Sequence, residues 1–184
     1  MRMPATRRTL WVATALLFGL SLAACSGSKK GSSGTFASVV PTVDSTSTLS
    51  KAEFISKMNS VCAAIDQQRR ALPTPAGLTD YPNIISNLTG TLRILPTLIK
   101  QADVLIQRSP DRATLTSQWL AIEKADFAVV QPIAQKMVAD STTKDATKVA
   151  ADGEALSNAP NHSADIAAFM TSYGLTSCAT LENQ

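Results

Sequence analysis

Three cysteines and one histidine are the side chains here whose chemistry reaches furthest beyond packing. A thiol can act as a nucleophile, ligate a metal, carry an acyl chain or close a disulfide, and its surroundings select among these. Cys25 directly follows Leu22-Ala23-Ala24, while Cys62 and Cys178 stand far apart in the remainder. His162, after Pro160-Asn161, has no second histidine and no H-E-x-x-H pattern with which to build a metal site. It reads as an exposed residue ahead of a helix. No serine lies in G-x-S-x-G, and the glycine cluster at Gly27, Gly31 and Gly34 does not form a phosphate loop. Asp140 with Asp145, and Asp152 with Glu154, are acid pairs that need a cleft before they can do acid–base work. Acids beside helix starts are accounted for by the helix dipole. The sequence thus predicts no catalytic residue, no metal site and no cofactor.

What precedes Cys25 gives that thiol its meaning. Arg7-Arg8 open an apolar run of about 15 residues that ends in small side chains, the build of a secretory signal and too short for a spanning helix. Leu22-Ala23-Ala24-Cys25 resembles a bacterial lipobox. The resemblance implies a diacylglyceryl group on the Cys25 sulfur, cleavage before Cys25, and acylation of the new amino terminus. Residues 1–24 are then a cleaved signal, and the mature chain sits on the outer face of the cell membrane. Thr6-Arg7-Arg8-Thr9-Leu10 partly matches a twin-arginine signal, with the general secretory route as the alternative.

Removal of the signal takes Arg2, Arg7 and Arg8 from the 17 basic side chains and leaves 14, equal to the 14 acidic ones. A chain without net side-chain charge lacks the basic face that nucleic acid would require. With Cys25 lipidated, Cys62 and Cys178 form an even pair in an oxidising compartment, and a bridge between them is predicted. The chain-entropy model gives such a long loop about 4 to 5 kcal/mol as an upper value. Two free, buried thiols are the alternative.

Residues 25–48, rich in Ser, Gly and Thr, form a flexible tether, and Lys29-Lys30 lie close to the lipid. Residues 49–184 form the domain. Its first helix is specified by Ser50 and Glu53 as a capping box, with Leu49 and Phe54 as a hydrophobic staple. That helix should run from Lys51 to Ala71, placing Phe54, Met58, Val61, Cys62 and Ile65 inward, and end at Pro73 and Pro75.

Asp80 is positioned to cap a second helix, whose seam is Ile85, Leu88, Leu92, Leu95, Ile99, Ala102 and Ile106 in steps of three and four. Gly90 costs that helix about 1 kcal/mol relative to Ala, and Pro96 should bend it. Ser109 as cap and Pro110 at the first position begin a third helix reaching Ala139, with Leu115, Trp119, Ile122, Val129, Ile133 and Met137 inward and a kink at Pro132.

The fourth is weak and broken: Lys144 to Ser157, an interruption at Asn158-Ala159-Pro160-Asn161, then Ser163 to Tyr173 with Gly174 in a Schellman motif closed by Leu175. Beyond Cys178 a short tail is expected to fray. The fold class is all-α: an up-down four-helix bundle with a broken fourth helix and one disulfide. Met58, Met137 and Met170 fall on apolar stripes and read as core rather than copper ligands. Asn87-Leu88-Thr89 matches a glycosylation acceptor by accident of the second helix.

The opening Leu49 to Ile55, Cys62 in the first helix, and the terminal Tyr173-Gly174-Leu175 with Cys178 resemble small actinobacterial cell-envelope lipoproteins. The resemblance implies a helical domain tied by one disulfide on an anchored tether, and it carries no activity and no site residues. The expected role is a non-enzymatic surface binding or scaffold module, attached to the membrane through its lipid and serving an envelope protein partner. An apolar-ligand carrier or sensor that opens near Pro96 and Pro132 is the alternative.

Overall fold

The computed structural model describes residues 47–183. The predicted signal, Cys25 and all but the last two residues of the predicted tether lie outside them. The regular elements of the described residues are all helices: α1 (Lys51–Arg70), α2 (Tyr81–Ile106), α3 (Arg112–Leu115), a π-helical turn (Thr116–Leu120), α4 (Ala121–Thr142), α5 (Ala146–Ser157), α6 (Ser163–Tyr173) and α7 (Thr176–Glu182).

The start of α1 follows its local code. Ser50 Oγ accepts from the Glu53 backbone N–H at 3.3 Å, and Glu53 Oε2 accepts from the Ser50 N–H at 2.8 Å. The Ser50 N–H, joined by the Ser50 hydroxyl donating to the same oxygen at 2.7 Å, holds the Glu53 carboxyl below its ordinary range. Leu49 and Phe54, the two halves of the staple, are both buried. The Leu49 N–H also donates to the Arg108 carbonyl at 2.9 Å, tying the entry of the domain to the end of α2.

In α2 the inward face differs from the expected seam. Ile84, Ile94, Leu98, Ala102, Leu105 and Ile106 are buried, while Ile85, Leu92, Leu95 and Ile99 are only half-covered. Both rows are apolar, and packing against α1 on one side and α4 on the other makes use of both. Asp80 precedes α2 without capping it by side chain. Its carboxylate instead accepts from the Ala76 N–H and from Asn83 Nδ2, each at 2.9 Å, and so closes the preceding loop. Gly90 is buried because the Leu72 methyl groups lie where a Cβ would project. The glycine permits a close approach that no larger residue at that position would allow.

Ser109 does not cap a helix. Its N–H still bonds the Ile106 carbonyl in the turn that ends α2, its Oγ accepts from the Asp111 N–H at 3.2 Å, and α3 begins only at Arg112. The π turn that follows was not foreseen. One extra residue in a turn lets Leu115, Trp119 and Leu120 all face the core, and it advances every later side chain by about 100°. The expected inward stripe of α4 holds at Met137 and fails at Val129, Ile122 and Ile133. Val129 is 41% exposed, Ile122 and Ile133 are half-buried, and Ala134, Met137 and Ser141 take the buried face.

α5 and α6 match the two halves of the expected broken helix, with Asp145 capping α5 by accepting from the Lys148 N–H at 3.1 Å. Gly174 is left-handed at φ +97°, the Leu175 N–H bonds the Met170 carbonyl and the Gly174 N–H that of Thr171, which completes the Schellman motif. The tail does not fray. Residues 176–182 form α7 and bury Cys178, Ala179 and Leu181, because a covalent bond and a core contact hold them in place. α1 packs on α2 and α7, α2 on α4, α4 on α5, and α6 on α7 and the π turn.

Candidate functional site

Cys62 and Cys178 are joined, with S–S 2.06 Å and Cα–Cα 5.0 Å, and both are fully buried. The bond is one element of a larger seam. Asn59, Cys62 and Arg69 recur along one stripe of α1, and each meets α7 or the turn before it. Asn59 Nδ2 donates to the Gly174 carbonyl at 3.1 Å while its Oδ1 accepts from the Ser177 N–H at 3.0 Å. Arg69 Nη1 donates to the Leu181 carbonyl at 3.0 Å. Sequence reasoning found the cysteines and missed Asn59 and Arg69. Only their helical spacing from Cys62, three and seven residues, hinted at a shared face.

Beyond Arg69 lie the most perturbed carboxyls of the described residues. Glu182 on α7 is pushed up to about 8, first by burial and then by the Glu123 charge, with Arg69 opposing. Burial also raises Glu123 on α4, and Asp126 adds to the effect. Two acids that share one arginine resist losing the second proton, so the pair titrates as a unit.

Asp126 in turn receives His162, whose Nδ1 lies 2.8 Å from Oδ1 and whose backbone N–H donates to Oδ2 at 3.2 Å. A carboxylate that orients an imidazole is half of a nucleophilic triad. The neighbouring Ser163 hydroxyl, however, donates to Asn161 Oδ1 at 2.6 Å. The pair serves to fasten the segment before α6 onto α4.

The acid pairs of the sequence regroup. Asp140 meets Asp152, rather than Asp145, through the Lys136 ammonium at 2.7 Å from each. That ammonium holds the Asp140 carboxyl below its usual range. At the domain entry, Tyr173 donates to Asp111 Oδ2 at 2.7 Å, and Lys51 Nζ lies 4.2 Å above the Tyr173 ring and 3.5 Å from Asp111. Burial, then the Asp111 bond, push the Tyr173 hydroxyl up to about 12.

Met58, Met137 and Met170 are buried in apolar packing, and Asn87 Nδ2 donates to the Pro73 carbonyl at 3.0 Å. Among the described residues no group of three or more His, Cys, Asp or Glu is placed to hold a metal, and no helix is long and apolar enough to cross a membrane. Comparison of the chain with protein-family models, with curated proteins and with solved structures finds no match.

Proposed function

We propose that this chain is a lipid-anchored, non-enzymatic module of the cell envelope. Its signal (1–24) is removed, Cys25 carries the lipid, residues 25–48 are the tether, and residues 49–184 present a binding or scaffold surface to an envelope partner. One observation carries the reading. Of three cysteines, two are consumed in a buried bridge inside the domain, and the third stands directly after Leu22-Ala23-Ala24. A disulfide suits an oxidising compartment, and the remaining thiol sits where lipid attachment calls for it. The fold is read as an up-down bundle of four, its last member broken into α5 and α6, with α7 following.

Three polar clusters support a binding role over a catalytic one, because they are engaged among themselves: Asp126 with His162, Ser163 with Asn161, Lys136 with two aspartates. The apolar-ligand carrier has less support. Ile94 and Leu98, which flank Pro96, are buried in the main core, and Ala134, two residues past Pro132, is also buried.

Metabolic labelling with a fatty acid tests the anchor. The full-length protein should take up label and fractionate with membranes, and Cys25→Ala should do neither. Label retained by Cys25→Ala would refute the proposal. A native mass spectrum of the purified protein then separates the two roles, since a co-purified polypeptide favours the scaffold and a retained lipid the carrier.

A further inference from the structure

Two apolar cores hold the domain. The larger gathers α1, the Ile94–Ile106 part of α2, the π turn, α6 and α7, and the disulfide crosses it. The smaller is Ile84, Met137 and Val149, with Tyr81, Leu88 and Leu156 at its margin. α5 contributes Val149 and Leu156 to this second core, and α4 is its one extensive helix neighbour among the described residues.

The other buried α5 side chain is Asp152, 4% exposed. Its Oδ1 accepts from Lys136 Nζ at 2.7 Å, and the same ammonium reaches Asp140 Oδ2. Asp152 Oδ2 and Ser141 Oγ are buried in the protein without a hydrogen-bond partner. Polar oxygens in that condition oppose closure, because lifting the helix hydrates them. Both ends of α5 are set off by breaks in the helical run. Lys144, between α4 and α5, has φ +57°, and the Asn158-Ala159-Pro160-Asn161 segment separates α5 from α6.

We propose that α5 is a hinged cover over the smaller core, latched to α4 by the Lys136–Asp152 ion pair, and that it opens as a unit while the disulfide-crossed core stays folded. Opening bares Ile84 and Met137 and the inner edges of Tyr81 and Leu88. A domain with this device has two surfaces, one polar and closed, one apolar and open. The inference stands apart from membrane attachment, which it neither needs nor tests.

Native-state hydrogen exchange on the full mature chain, read by mass spectrometry, tests it. Amides of residues 149–157 should exchange at least about 100-fold faster than those of residues 58–65. Lys136→Met, which leaves the Asp152 charge buried and alone, should speed α5 a further tenfold or so and leave α1 unchanged. Equal protection of α5 and α1 in the unmodified protein overturns the proposal, whether or not the variant folds. Acceleration of both segments together in Lys136→Met overturns it as well.

Discussion

Arg69 and Leu181 are joined by a 3.0 Å hydrogen bond from guanidinium to carbonyl, one residue short of Glu182. The arginine thereby fixes the end of α7 and places its positive charge beside two half-buried acids. Stability and proton binding are coupled at this point.

The coupling has a definite sign. Glu182 binds its proton more tightly folded, near pH 8, than unfolded, near pH 4.5. Its contribution is therefore fully present below about pH 4.5 and is lost as pH rises through about 8. Glu182→Gln should melt close to the parent at pH 5 and a few degrees above it at pH 9. Thermal scans at both pH values check this.

Acid acts in the opposite sense elsewhere. Asp103 is held below its ordinary range by Lys124 and Gln107, and Asp111 by Tyr173 and then Lys51. Their stabilisation is present above about pH 4 and lost as pH falls further. Tyr173→Phe removes the Asp111 bond and should lower the urea midpoint at pH 7 and lower it less at pH 2.

Replacing both Cys62 and Cys178 with Ala should leave a mainly helical circular dichroism spectrum. The melting temperature should drop by about 10 °C, the consequence of about 2 to 4 kcal/mol of lost constraint. The same drop should follow full reduction of the parent.

Gly90 permits a test of close approach. In an exposed helix Gly→Ala gains about 1 kcal/mol. Gly90→Ala should gain distinctly less in the parent, since Leu72 must give way, and should recover the full gain in a Leu72→Ala background. Denaturant titration of the four proteins gives the coupling directly.

How much the sequence showed depended on how local each signal was. The box at Ser50 and Glu53 and the Gly174–Leu175 stop are written within six residues, and both appear as read. The inward face of α2 is set by which helices lie on either side, and a doubly apolar helix does not announce that in its own pattern. The π turn has no proline, glycine or charge signature, so it was invisible in the sequence. α7 is helical because of what it is bonded to, although the seven residues alone are too short to hold a helix in water. The Cys62–Cys178 pair was readable by counting thiols. The seam around it was not, because Asn59, Arg69, Glu123 and Glu182 are unremarkable residues until distant segments converge on them.

The bridge between positions separated by 116 residues also sets how the domain answers a pull. A tug between its two ends can draw out only the stretch before Cys62 and the few residues after Cys178. Everything enclosed is bypassed, since force flows through sulfur rather than along the peptide. Under tension the enclosed stretch carries no load until a reductant opens the bridge.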